Sequence, residues 1–429
     1  MFDQNGLSLD QAPPIRVVLR FFLAGSLWGV IAGIWLLFQG SGAIAPANPE
    51  ALILTHMLVL GMMFSFMLGA LFQMLPVIAG VAIISPNLLA IRTQYPLLAG
   101  TLFLLLGFGL GEPVYYGFAL FFLLVGLLPA LGLILVQLQR VATHTASSRG
   151  IAFAVFNVLV LLALGLTLAG VRSGWWGSEH YLALRSAHIG YGILGWIALL
   201  IVSVAFQVVE MFYVTPPYPP LLTRRLTSAI TWLLVGALIA GLVSPLLQNI
   251  LLALAMAGLA VHGAVTLRRF SQRKRPLTDA TVWFWRIGSG MLMASMVGGI
   301  VQLFVSAPSW VGEMTALFFL FFATSILLAM TYKIVPFLVW FHLNAQGYFT
   351  APMMHEVIHP RYAKKHLWIH LGVFLSALIA IAFPLFWSLT GILLAFSFGW
   401  IGVAIYRGWH QYLDVERTGE RFSFDLPQS

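Results

Sequence analysis

Apolar residues run through this chain in long unbroken blocks, with neither the alternation of strands nor the one-sided stripe of surface helices. Twelve such blocks stand at 16–38, 51–75, 96–112, 116–138, 151–171, 185–209, 226–244, 246–267, 283–305, 311–339, 366–387 and 389–408. Each approaches the ~20 residues that a helix needs to cross a bilayer. Two short breaks, VSPLLQN at 243–249 and FPLFWSLTG at 383–391, read as turns, because the runs on either side then have ordinary lengths. The pattern predicts an all-α polytopic membrane protein with about twelve transmembrane helices. It excludes the weak alternating signal of a membrane barrel.

Composition agrees. The chain is 60% hydrophobic and 8% charged, whereas soluble domains carry roughly a quarter charged residues. The opening MFDQNGLSLDQAPPIR lacks a basic region and a small-residue cleavage site, so no removed signal peptide is expected. The predicted organisation is a tail at 1–15, one transmembrane domain at 16–408 and a second tail at 409–429. Cysteine is absent, which rules out disulfides, iron–sulfur clusters and thiolate ligands. Any metal or heme would be held by His, Met, Tyr or carboxylate.

The net charge of +9 changes the picture only through its placement. Twenty of the twenty-two Lys and Arg fall at the termini and in the even-numbered loops; the odd-numbered loops hold only Arg172 and Arg185. The positive-inside rule therefore predicts both termini in the cytoplasm of a bacterial-type inner membrane. The basic stretch RRFSQRKRPL at 268–277 then faces anionic headgroups, with the lipid bilayer and not nucleic acid as its partner.

Spans two, six and ten share a spacing. Leu60-Gly61 precedes Phe72-Gln73 by twelve residues and Pro76 follows three later. Leu194-Gly195 precedes Phe206-Gln207 by twelve, with Glu210 three later, and span ten has Tyr332-Lys333 followed by Pro336. The intervals of 134 and 126 residues are each about four spans long. This predicts three four-helix arcs at about 16–138, 151–267 and 283–408.

Twelve spans in three arcs, with His56 and His188 near the outer ends of spans two and six, resemble subunit I of the heme–copper oxidases and the shorter NnrS-type proteins linked to nitric oxide stress. The resemblance implies heme ligation by His56 and a copper-type position for His188. An unbroken helix puts the two histidines on different faces, because they lie 17 and 19 residues before Gln73 and Gln207. Where oxidase span ten carries two histidines, this chain has Met314 and Ala316; span seven has no histidine, and Tyr191 follows His188 by three residues. These departures imply loss of the full oxygen-reducing site. Met314 remains a candidate soft axial ligand.

Ionisable groups inside a span are functional candidates by default. His262 reads as a helix–helix contact. Gln73, Gln207, Glu210 and Lys333 are candidates for a polar path. The run His355-Glu-Val-Ile-His359 matches the zinc-protease HExxH pattern, but Pro352 and Pro360 leave room for two helical turns at most. His355, His359, His366 and His370 together offer a loose metal cluster. The expected function is a heme-binding, copper-capable membrane protein in redox or nitric oxide chemistry, which takes a gas ligand and acts with a partner subunit or as a homo-oligomer. The competing expectation is a cofactor-free permease or assembly factor on the same scaffold.

The span count and the charge sorting make a direct prediction. A reporter after Ser429 or beside Lys274 should report the cytoplasm, and one at Ala45 the opposite side. Access to Lys274 from the outer side alone would overturn both.

Overall fold

The computed structural model describes residues 12–46, 48–177, 179–275 and 279–421, and every long element in it is a helix. The beginning of the first predicted tail and the end of the second lie outside the described residues. Among those described, the sole bridge of extended backbone joins Tyr348 to Arg421. Twelve helices are long and apolar enough to cross a membrane. We number them as spans: 1 (Ile15–Ala43), 2 (Pro49–Ala79), 3 (Pro86–Leu110), 4 (Pro113–Gln139), 5 (Ala146–Arg172), 6 (Tyr181–Tyr213), 7 (Leu222–Gly241), 8 (Pro245–Ser271), 9 (Ala280–Phe304), 10 (Ser309–Ala345), 11 (Pro360–Ala382) and 12 (Phe386–Thr418).

Both predicted turns are present. Leu242 and Val243 turn the chain, and Ser244 caps span 8 by accepting the Leu247 N–H. Pro384 and Leu385 turn it again before span 12. Several helices outrun their apolar blocks. Span 3 begins at Pro86 and span 11 at Pro360, while span 12 continues to Thr418, so the carboxyl-terminal tail starts later than hydropathy placed it. The reason is solvation: the end turns of a long helix lie in the headgroup and water layers, where polar residues are tolerated.

The packing repeats three times. Span 1 packs on 2 and 3 on 4, then 5 on 6 and 7 on 8, then 9 on 10 and 11 on 12. The junctions repeat as well: 4 on 5, 8 on 9, and 12 back on 1, which closes the ring. Spans 2 and 6 are 72% buried over their apolar windows and span 10 is 61%, against 28–50% for the other nine. The three spans that share the sequence spacing are therefore the inner ones.

The ring closes backbone to backbone. Gly25, Gly29 and Gly33 form a small-residue stripe along span 1, of the kind that brings membrane helices together. A Cβ on Gly33 would run into the backbone of Ala395, and one on Gly391 into that of Leu37. Gly33→Ala should thus destabilise the fold by about 1–3 kcal/mol through overpacking. Gly132→Ala on span 4, with nothing within 4 Å of a new Cβ, should be neutral or stabilising. Thermal unfolding in detergent compares them directly.

Candidate functional site

Spans 2 and 6 are not regular helices. Span 2 passes through a π-helical segment at Met57–Met63, and span 6 through one at Tyr191–Ala198. Such segments are rare and concentrate at functional sites. Gly61 and Gly195 each stand fifth in their segment, so the widening falls at the same point of the repeat. Both glycines admit a neighbour: a Cβ on Gly61 would lie 2.6 Å from Trp28 of span 1, and one on Gly195 3.1 Å from Asn157 of span 5. Spans 1 and 5 hold matching places in their arcs. Span 10, whose corresponding position is Phe321, has no π segment.

His56 stands immediately before its π segment and His188 three residues before its own, each seven residues into its span from Pro49 and Tyr181. Sequence offset put them on different helix faces, yet the two imidazoles lie within electrostatic range of each other. His56 Nδ1 is 2.8 Å from the Leu52 carbonyl. A carbonyl only accepts, so Nδ1 carries the proton and the Nε2 lone pair is left available, the arrangement that suits a metal-ligating imidazole. His188 lies beside the Leu161 carbonyl and Gly165 of span 5, and its shielded Nδ1 has no partner.

Three other spans close on this pair. The Phe108 ring of span 3 packs 4.9 Å from His56. The Arg172 guanidinium, at the end of span 5, lies 5.7 Å above that ring. Arg172 Nε donates to the Tyr116 hydroxyl at 3.3 Å, and its side chain also reaches Tyr181. Deeper in the bundle, Phe64 of span 2 and Trp196 of span 6 meet at 5.1 Å. Ser65 Oγ, Tyr191 Oη, Trp196 Nε1 and Asn157 Oδ1 join His188 Nδ1 as buried polar atoms without partners. Buried polar groups are nearly always paired, and this group falls on spans 2, 5 and 6 beside the histidines. Sequence reading did not single out Arg172 as a site residue, although its isolation in a nearly uncharged loop was a signal.

Met314 is half-buried near the start of span 10, beside Thr315, which Gln302 and Ser295 bond to span 9. Among the described residues no group of three His, Asp or Glu could hold a metal, so the loose cluster expected from His355, His359, His366 and His370 is not formed. His366 and His370 do not join His355 and His359. They are buried within span 11, because that helix starts six residues earlier than its apolar block.

The HExxH run is divided. Its helix covers only Met354–Val357, and Ile358 is extended. Glu356 accepts the Met353 N–H at 2.7 Å, and His359 caps span 11 by accepting the Arg361 N–H at 3.2 Å. Both side chains thus serve as helix caps.

The polar-path residues fall into separate groups. Gln73 is buried, and neither amide atom has a partner among the described residues. Gln207 is half-buried. Glu210 accepts the Tyr218 N–H at 3.0 Å and lies in the field of Arg269. Burial pushes the Tyr218 hydroxyl up, and its ring stacks on His262 at 5.4 Å. His262 is 3% exposed with both nitrogens unpartnered.

Lys333 donates to Asp279 at 2.6 Å, with the Tyr213 ring 5.6 Å away. Asp279 was missed in the sequence, where it reads only as a polar residue before span 9. Its carboxylate also caps that span by accepting the Val282 N–H.

No protein-family model and no curated protein matches the chain.

The ion pair gives a pH-dependent prediction. Burial alone would raise the Asp279 carboxyl, but the Lys333 ammonium and the bonds around it outweigh this and hold it below the ordinary carboxylate range. A carboxyl held low adds stability above its unfolded value and loses it as pH falls through the folded one. Asp279→Asn should therefore lower the melting temperature at neutral pH by less than about 1 kcal/mol of stability, because the pair is partly exposed. The gap from wild type should close once the medium is more acidic than the carboxylate range.

Proposed function

We propose that this chain is a heme-binding membrane protein of redox or nitric oxide chemistry, with His56 as iron ligand. One observation carries the reading: two imidazoles lie within electrostatic range of each other, each seven residues into an inner span, one with a free Nε2 lone pair and the other with an unpartnered Nδ1. The donor chemistry fits, since neutral imidazole ligates heme iron and copper alike. Flat aromatic side chains at Phe108, Phe64 and Trp196 suit a planar group, and Arg172 supplies positive charge for a porphyrin's carboxylates. Heme would contribute a redox-active iron able to hold a diatomic gas.

In this reading His56 binds and the Leu52 carbonyl orients its ring. His188 is the second donor, for heme or for copper, and the apolar walls exclude water. Met314 is the soft ligand that span 10 offers in place of histidine. Both termini lie in the cytoplasm of an inner membrane, with the histidine pair toward the outer side. A partner subunit or a second copy completes any donor set that the pair leaves open. The competing reading is a permease or assembly factor. It is favoured by the polar groups of the opposite half, above all the unpartnered Gln73 and the Lys333–Asp279 pair.

An optical spectrum of protein purified from heme-sufficient cells separates the two. A Soret band is expected, and His56→Ala should abolish or shift it, because the residue that would hold the iron is lost. His262→Ala should leave it unchanged. A protein with no Soret absorbance at all rejects the heme reading in favour of the permease.

A further inference from the structure

In the half of the bundle that holds the termini, three spans share a buried hydrogen-bonded line that the histidine pair does not use. Tyr332 Oη of span 10 is 2.8 Å from His366 Nδ1 of span 11. His366 Nε2 is 2.8 Å from Ser397 Oγ of span 12. His366 is fully buried and Ser397 is 1% exposed. One turn deeper, His370 Nε2 bonds Ser325 Oγ of span 10 at 2.9 Å, and the two imidazoles lie within each other's field. At the terminus-bearing end of the line stands Tyr362, the third residue of span 11, half-buried, its hydroxyl donating to the Trp400 carbonyl at 3.2 Å and within electrostatic range of Tyr332.

Every member of the line can both give and take a proton. The charged and titratable groups facing it are few. Tyr332 faces it from span 10, His370 and Tyr362 from span 11, and Arg407 of span 12 lies over the Tyr362 ring at 6.0 Å. Span 9 contributes the apolar Phe284 ring.

The repeat supplies an internal comparison. Tyr332 occupies the place that Phe206 holds in span 6. Phe206 meets His262 with centroids 5.7 Å apart at 72°, and Tyr332 meets His366 at 5.7 Å and 75°. The ring arrangements are alike, but Phe206 has no hydroxyl and both His262 nitrogens are unpartnered. His262 belongs to span 8 and His366 to span 11, so the two contacts share ring geometry and not helix position; at the span 10 contact a hydroxyl is present, and the line is complete from Tyr332 to Ser397. Packing alone is satisfied by phenylalanine, as span 6 demonstrates.

We infer that Tyr332, His366 and Ser397 form a proton relay leading from the terminus-bearing face into the bundle. A proton arriving at the Tyr332 oxygen sends the phenol's own proton to His366 Nδ1. The imidazolium so formed releases its Nε2 proton to Ser397 Oγ, whose hydroxyl proton moves on. One proton enters, one leaves, and no electrons move. The His370–Ser325 link extends the polar line toward mid-bilayer. The relay is independent of heme at His56 and holds under either reading of function.

Side-chain hydrogen exchange tests it without any assay of activity. The full chain is labelled with 15N-histidine, reconstituted in lipid bilayers and moved into D2O, and the imidazole N–H signals are followed by NMR. His366→Gln identifies the His366 signal, and His262→Gln that of His262. The His366 N–H should exchange roughly tenfold or more faster than His262 and the backbone amides of span 11, which open only by local unfolding. Tyr332→Phe, which removes one oxygen and copies the span 6 arrangement, should slow His366 to the rate of His262. Ser397→Ala should slow it as well, because the Nε2 proton then has no acceptor. The backbone amides report whether each variant has kept its fold. Slow His366 exchange in the wild type, or fast exchange in either Tyr332→Phe or Ser397→Ala, would each overturn the relay as described.

Discussion

A bilayer core offers no water to a backbone N–H or C=O, and each group left unpaired there costs several kcal/mol. Everything else in this structure depends on that constraint. It makes all twelve crossings helical, and it decides where the helix can be irregular. The π segments at Met57–Met63 and Tyr191–Ala198 shift the hydrogen-bond ladder, and they occur in the two spans that protein covers most fully. A third π segment, Leu222–Leu226, opens span 7 at its Arg224-Arg225 end, so the π turns that lie within long apolar runs are those of spans 2 and 6. His56 and His188 stand beside those turns.

The same economy separates two kinds of buried polar group. Near the histidine pair, polar atoms lack partners; between spans 10, 11 and 12, the histidines and hydroxyls bond one another in sequence. An unpartnered group in a low-dielectric interior is costly, while a completed network stiffens its surroundings. The first leaves polar groups uncompensated, as also at Gln73, His262 and Trp285. The second suits groups whose partners are already in place.

Much of this was legible in the chain itself. Block lengths yielded the twelve spans and both turns, because hydrophobic length is what a membrane selects. The offset from Leu-Gly to Phe-Gln exposed inner spans 2 and 6, where a neighbour presses on the same small residue, while span 10 showed itself only by Tyr332-Lys333 and Pro336. Helix ends were not legible. Span 11 was read from 366 and begins at Pro360, because its first turns are Arg361, Lys364 and Lys365, and this moved His366 from an end to the interior. The π segments left no trace in residue type. Pairings such as Arg172 with Tyr116, 56 residues apart, depend on how whole helices stack, and local pattern carries no such information.

The glycine seam between spans 1 and 12 has a consequence for how the protein is made. Its two halves, Gly33 and Gly391, are separated by 358 residues of chain. At the ordinary pace of synthesis, ~5–20 residues per second, the ribosome needs roughly 20–70 seconds to supply the second half after the first. For that time the newborn first helix sits in lipid with its closest-fitting partner not yet made, and the ring can close only as the last span arrives. Closure of the ring thus waits on the synthesis of its twelfth span.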